Sequence, residues 1–355
     1  MKVDILTLSD IKKDFFRFPG IDDIPSEPKI PLKNYLLDLV NESDGKESSV
    51  YLKGVEKFIQ EIWEEMVRNN WKTLQAKKLI PAKLGLSSIY PYKNGRKAIS
   101  VQNLYKSLLL WKKYCQKSSA DVKKKWDEIY KDDFTFSLHQ SSSPTKLPKY
   151  LTPKLLYFLG VRCGDGNLND SGNHYIIKVS EKSILQLNFV LKPLFKELFN
   201  VDAPVFQIYE GGHALQVGNK AVLRFLKQVL KTKTGKIPDF VKDLDSINKK
   251  YFLMGLFDSE GSVGCSYLDA RIVIYQSDYK FLEEVIDLFK DVSIYFSGPY
   301  RHESEKGIWY HIAARKKSEI LKYISEVGTC HIDKFQKIKI LEKEIYAHGY
   351  RYNST

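Results

Sequence analysis

The chain is poor in cysteine: Cys115, Cys163, Cys265 and Cys330 are scattered through 355 residues, with no Cys-x-x-Cys pair. That pattern excludes the common zinc spacings and a disulfide framework, and it suits a reducing compartment. Long apolar runs are missing too. The stretch Met1 to Asp10 places Lys2, Asp4 and Asp10 among short apolar pieces, so neither a signal peptide nor a membrane span is read there. The expectation is an intracellular protein without a membrane partner, cytoplasmic in a prokaryotic or archaeal cell by default, with an organelle as the alternative. An acidic surplus is also lacking. Lys and Arg number 56 against 43 Asp and Glu, a net charge of +13, enough positive charge to draw a polyanion by counterion release.

The length suggests two or three domains at roughly 100–200 residues each. Pro19, Pro25, Pro28 and Pro31 make the beginning irregular, and residues 41–49 read as a loop. Val55, Phe58, Ile59, Ile62, Trp63, Met66 and Val67 then recur at helical spacing. A stretch from Leu74 to Leu84 is broken by Pro81, and another periodic helix follows Ser100 through Leu104, Leu108 and Leu109. Between them, Lys93, Arg96 and Lys97 form a basic turn around Gly95. Residues 1–140 therefore read as a mainly helical N-terminal domain, either a helix-turn-helix-like unit whose basic wing touches phosphate or a plain helical domain solvated by its lysines. Ser141-Ser142-Ser143-Pro144-Thr145 marks the boundary after it.

Two later segments nearly repeat one another: Phe158-Leu159-Gly160-Val161-Arg162-Cys163-Gly164-Asp165-Gly166 and Leu253-Met254-Gly255-Leu256-Phe257-Asp258-Ser259-Glu260-Gly261. Gly160 and Gly164, like Gly255 and Ser259, are four residues apart, so each pair bares one helical face and lets two helices meet backbone to backbone. Gly166 and Gly261 fall where a left-handed residue ends a helix, which places the ends just after Asp165 and Glu260. A carboxylate at that end opposes the helix dipole, and two such ends side by side double the conflict. A hard divalent ion such as Mg²⁺, which takes carboxylate oxygens with water and phosphate, resolves it.

Flanking patterns repeat as well. The first copy has a Thr152 cap with Pro153 behind it, a strand over 174–180, a helix through Phe195, strands over 205–209 and 213–217 about a Gly211-Gly212 turn, and a helix over 221–230. The second has strands over 271–275, 293–297 and 308–313, a loop over 302–307, and helices over 281–289 and 319–327. Alternation turns Ile272 and Ile274 inward, so Arg271 and Tyr275 point out.

These segments resemble the paired motifs of the LAGLIDADG homing endonucleases in their single-chain form, and the likeness extends over about residues 147–346. Leu147-Pro148-Lys149, Lys236-Ile237-Pro238-Asp239-Phe240 and Asp258 to Val263 carry it further. Arg162 and Cys163 depart from the name-giving pattern, and Glu260 replaces its aspartate. The resemblance implies an α+β fold: a pseudo-twofold pair of αββαββα repeats, 147–245 and 246–346, whose two antiparallel sheets form a saddle for double-stranded DNA. It implies a monomer with an internal pseudo-dimer that cuts both strands at a long site, with Mg²⁺ or Mn²⁺ as cofactor and Ca²⁺ as a non-catalytic substitute. Asp165 and Glu260, with Gly164 and Ser259 beside them, become the metal site, and Lys220 and Lys316 or Lys317 the assisting lysines. Lys178, Gln207, Tyr209, Arg271, Tyr275, Trp309 and His311 become candidates to meet DNA. The same scaffold serves RNA-binding maturases and non-cutting DNA-binding regulators, which form the alternative. Inteins are disfavoured on the expectation that such a chain opens on Cys or Ser and closes on His-Asn.

Overall fold

Local capping chemistry sets the frame. Ser100, Ser118, Thr152, Asn219, Asp245 and Asp278 each accept a backbone N–H at the start of a helix, which is what short polar side chains do at that position. A computed structural model describes residues 21–40, 50–69, 92, 96–137, 144–171, 174–266, 269–305 and 307–348. The broken stretch around Pro81, Lys93 and the serines of the boundary segment lie outside the described residues.

The N-terminal part is a small mixed unit. Strand β1 (Ile30–Pro31) comes first, then β2 (Tyr51–Lys53), β3 (Ile99–Ser100) and β4 (Thr135–Ser137), the last three in one sheet of order β3-β2-β4. Helix Val101–Tyr114, which follows β3 directly, packs against both Glu56–Arg68 and Ser119–Lys131. Phe58, Ile59, Ile62, Trp63 and Met66 are buried as their spacing predicts, whereas Val67 is 62% exposed. Backbone pairing and hydrogen bonds fasten the unit to the C-terminal part of the chain. β1 pairs antiparallel with β5 (Tyr150–Leu151), the Tyr35 hydroxyl donates to Pro148 O at 2.9 Å, and buried Arg224 donates to Leu39 O at 2.8 Å.

That C-terminal part is built of two matching repeats. The first motif helix, Pro153–Asp165, runs directly into β6 (Gly166–Asn169), then β7 (Ile176–Glu181), a helical stretch ending in Lys192–Phe199, β8 (Val205–Tyr209), β9 (Gly212–Gly218) and a helix opening at Lys220. The second motif helix, Ser246–Glu260, runs into β10 (Gly261–Ser266), β11 (Asp269–Gln276), helix Tyr279–Asp291, β12 (Ser297–Ser304), β13 (Gly307–Ala314) and helix Lys317–Glu326. The sheets share one antiparallel order, β6-β7-β9-β8 and β10-β11-β13-β12. The fold is the expected α+β pair.

Three local expectations fail. Gly166 and Gly261 are extended, with φ of −84° and −86°, rather than left-handed. Space is the reason for glycine there: a Cβ at Gly166 would stand 2.6 Å from Arg162 O, and one at Gly261 2.1 Å from the Phe257 ring. The strand placed over 293–297 begins only at Ser297, and the loop over 302–307 is largely strand, because β12 is polar and exposed along most of its length and shows no alternation to read. A C-terminal helix, Ile332–His348, went unassigned; it packs along β10 with Ile338, Leu341 and Ile345 buried.

Candidate metal centre

The motif helices meet through their small residues, as the four-residue spacing requires. A Cβ at Gly160 would lie 2.1 Å from Phe252 O, and one at Gly255 would lie 2.0 Å from Tyr157 O. The two approaches are reciprocal, the signature of a twofold-like crossing. At the tips, a Cβ at Gly164 would meet Ser259 Oγ at 2.2 Å and Glu260 Cγ at 2.8 Å. Close approach of Gly164 to the Ser259 and Glu260 side chains at that point brings the last residues of both helices, Asp165 and Glu260, to one place.

The electrostatics show how closely they are confined. Burial pushes the Asp165 carboxyl up to about 8, with Glu260 and then Glu181 adding to the rise. Burial raises Glu260 as well, against the pull of Lys334 and a hydrogen bond of 3.2 Å from Gln276 Nε2. Among the described residues, none donates a hydrogen bond to the Asp165 carboxylate. Two half-buried carboxylates at two negative helix ends suit a hard divalent cation. No three His, Cys, Asp or Glu side chains cluster as a metal cage among the described residues. Asp165 and Glu260 are the two carboxylates at this place that could hold such an ion, with water and phosphate as its other ligands.

Gly164 and Ser259 do what their four-residue spacing from Gly160 and Gly255 suggests. They form the contact between the tips, and Ser259 Oγ turns back to Leu256 O at 2.9 Å on its own helix.

The lysines expected near the carboxylates face elsewhere. Lys220 is buried with its Nζ 4.4 Å from the centre of the Tyr175 ring, and burial pushes it down to about 8. Lys316 is exposed at the start of helix Lys317–Glu326, and Lys317 Nζ lies 5.9 Å from the Tyr346 ring centre. The cation that pulls both carboxyls down against burial is Lys334, which sequence reasoning missed; its ammonium donates to Phe257 O and Asp258 O at the end of the second motif helix. Glu181 and Gln276 were missed as well, although a signal existed: they end β7 and β11 and keep the 95-residue phase that separates Asp165 from Glu260.

On the sheets, Gln207 and Tyr209 are exposed, Lys178 and Tyr275 are half-buried, and Arg271 is held by Asp269 at 2.9 Å. Trp309 stacks on His302, ring centres 4.1 Å apart. His311 departs from its expected exposure. It lies 5% exposed beneath Tyr275, Tyr300 and His302, its Nδ1 2.7 Å from His302 Nε2, and burial pushes it down to about 4. It can shape that face but does not present itself to a ligand. Arg96 and Lys97 are exposed on the N-terminal unit.

Arg162 is the surprise of the first copy. It is 2% exposed, and its Nε and Nη1 have no hydrogen-bond partner. Burial pushes it down to about 10.

Residues 248–328 match the family model of the LAGLIDADG-like domain. The matched span of that domain opens inside the second motif helix, includes Glu260 and all four strands of the second sheet, and closes at Gly328. The chain is also 24% identical over 236 residues to the glutamine–fructose-6-phosphate aminotransferase (isomerizing) of Methanocaldococcus jannaschii, which covers 64% of this chain and 20% of that protein. The chain thus spans about a fifth of that relative, and the aminotransferase activity is the relative's. Similar solved structures include mesophilic variants of the homing endonuclease I-DmoI, at 19% identity and a TM-score of 0.39 over 50% of this chain and 95% of that one. A second is I-DmoI with DNA and Mn, at 19% and 0.38 over 50% and 96%. Full-length DUF199/WhiA from Thermatoga maritima is similar at 17% and 0.39 over 57% and 62%. No helix among the described residues is long and apolar enough to cross a membrane.

Proposed function

We propose that this chain is a site-specific DNA endonuclease that uses a divalent metal ion, Mg²⁺ or Mn²⁺, to break both strands at a long target site. The observation that supports it most is the meeting of Asp165 and Glu260 at the tips of helices packed glycine to backbone. Such a pair has little structural use, since like charges in a partly desolvated place oppose folding. The bound ion would supply Lewis acidity and a water made acidic enough to attack phosphate at neutral pH.

The chain's own residues do the rest. Asp165 and Glu260 would hold the ion from opposite helices, so each carboxylate would serve one half of the site. Gln276 holds the Glu260 side chain through Oε1. Gly160 and Gly255 keep both tips in register. The sheets offer Gln207 and Tyr209 from one repeat and Arg271, Tyr275 and Trp309 from the other, donors and ring faces that suit base edges and phosphate. Exposed Arg96 and Lys97 suit backbone phosphates further along the duplex.

A second reading, a DNA-binding protein that does not cut, draws on Lys334: a protein cation already sits at the end of the second motif helix and lowers both carboxyls. Incubating the purified protein with Mg²⁺ and DNA bearing the uninterrupted host locus separates the two. A double-strand break supports the nuclease; specific binding with no break defeats it in favour of the second reading.

A further inference from the structure

The two repeats differ where the middle helix hands over to the third strand. In the first, the chain's own segment fills that place. Asn200 Nδ2 donates to Pro144 O at 2.8 Å, Lys146 N–H donates to Phe199 O at 2.9 Å, and Asn219, at the head of the last helix, donates from Nδ2 to the hydroxyl of buried Thr145 at 2.9 Å. The second repeat has the same frame, with Ser293 left-handed as Asn200 is and Lys316 opening the last helix as Asn219 does. There, among the described residues, the place is an open cleft of about 490 Å³.

Its lining is cationic and aromatic. Arg315 and Lys316 both line it without a carboxylate partner among the described residues, and Arg315 Nε is buried without a hydrogen bond. Glu319, the acid of the cleft, is already engaged, accepting the Tyr295 N–H at 2.7 Å. Tyr295 and Tyr300 line it as well, exposed by 65% and 44%, and the Arg315 guanidinium stands 6.0 Å from the Tyr300 ring centre. A bulge aims Tyr300: the pairing of β12 with β13 slips between Ser297 and Tyr300, where Gly298 takes a φ of +117° and a Cβ would stand 2.8 Å from His311 O. Tyr300 then pairs across the strands with His311, and His311 with Tyr275, so the cleft opens on the sheet face that carries Tyr275.

We propose that this cleft binds a single nucleotide, with the phosphate on Arg315 and Lys316 and the base against the Tyr295 and Tyr300 rings. Cations without an acid partner suit an anion, and exposed tyrosine rings suit a planar base. A nucleotide joins the two, and the cleft falls within the roughly 300–1,000 Å³ of small-molecule sites. The nucleotide is either free or one unpaired unit of a strand lying along the sheet, since a duplex keeps its ring faces stacked. Only the strand as source rests on the DNA reading above.

The test is equilibrium binding to the full chain in EDTA, with thymidine 5′-monophosphate, inorganic phosphate and a single-stranded oligothymidylate as probes. Inorganic phosphate, which lacks the base, is expected to bind about tenfold more weakly than the mononucleotide or more weakly still. Arg315→Gln combined with Lys316→Gln is expected to weaken nucleotide binding about tenfold, and Lys316→Gln alone, at an exposed position that keeps the test usable should the double variant not fold, about fivefold. Tyr295→Ala is expected to weaken it about fivefold as well, and Lys178→Gln on the first sheet not at all. Binding of the oligothymidylate alone, weakened by these variants, assigns the site to a strand; binding of the mononucleotide, weakened likewise, assigns it to a free nucleotide. Binding of neither, binding that these variants leave unchanged, or phosphate bound as tightly as the mononucleotide would overturn the proposal. The measurement involves neither Mg²⁺ nor cleavage, so a chain that fails the cleavage assay can still pass this one, and the reverse.

Discussion

In the first repeat the residue two positions before the carboxylate is Cys163, whose thiol donates to Lys236 O at 3.1 Å; in the second it is Asp258, fully buried and bonded to Tyr157, Thr329 and Cys330. Both side chains fasten the segment that follows the last strand and its helix in their own repeat, so the same mechanical task is performed once by a thiol and once by an anion. The residue ending the second strand is Glu181 in the first repeat and Gln276 in the second; Gln276 donates to Glu260, while Glu181 only repels Asp165. Arg162 and its counterpart Phe257 complete the contrast, a buried cation against a buried ring. The backbone keeps its twofold likeness while the charges depart from it. Glu260 is the supported carboxylate and Asp165 the unsupported one, so the two halves of the centre are inequivalent even though the helices that carry them are alike.

The largest test of that contrast is removal of each carboxylate. Asp165→Asn and Glu260→Gln are each expected to cut cleavage on the order of 10³-fold with DNA binding kept, measured by single-turnover cleavage and by gel shift. A variant cutting at the native rate would show that only one half carries the chemistry. Next is the helix crossing itself. Gly255→Ala puts a Cβ 2.0 Å from the Tyr157 carbonyl and is expected to lower stability by about 3 kcal/mol, seen as a fall in the denaturation midpoint; an unchanged midpoint would mean that the helices are free to slide.

Arg162→Met sharpens the comparison from the other side. Replacing a buried, partly unpartnered guanidinium with an apolar side chain is expected to raise stability by roughly 1–4 kcal/mol, making the first copy behave more like the second. A lower Tm would instead give Arg162 a task in the first repeat. Proton linkage comes after that. Asp165 is raised, so the folded metal-free chain keeps a proton that the unfolded chain releases near its ordinary value of about 4. Stability in EDTA should therefore fall as pH rises from about 4 to the raised value of about 8, and level off above it. Unfolding scans across that range should show the slope in the native chain and a flatter one in Asp165→Asn. The smallest effect concerns Arg96 and Lys97: alanine at both is expected to weaken DNA binding evenly across sequences and reduce the salt slope by about one unit per lost phosphate contact.

Much of the fold and the centre of the site were legible in the residues alone. Gly160, Gly164, Gly255 and Ser259 announced the crossing because only small residues at that spacing permit it, and Thr152 with Pro153 marked the first helix start where the structure has it. Ile272 and Ile274 are buried as their spacing predicts, although Val273 between them is buried too. What stayed hidden had no period to reveal it. β12 is polar throughout, the C-terminal helix buries only a sparse stripe, and Lys334 is one lysine among many until the segment from Thr329 brings it beside residues more than seventy positions earlier. His311 kept to the alternation but vanished beneath neighbouring rings, a matter of cross-strand packing that a single strand does not disclose.

On the proposed reading, two acids on abutting helices share a metal ion. Crystals of the protein soaked in Mn²⁺ and measured at its absorption edge test it most directly. An anomalous peak within coordination distance of both Asp165 and Glu260, lost in Glu260→Gln, is the expected result. A peak on one carboxylate alone, or none between the two helix ends, would contradict a shared centre.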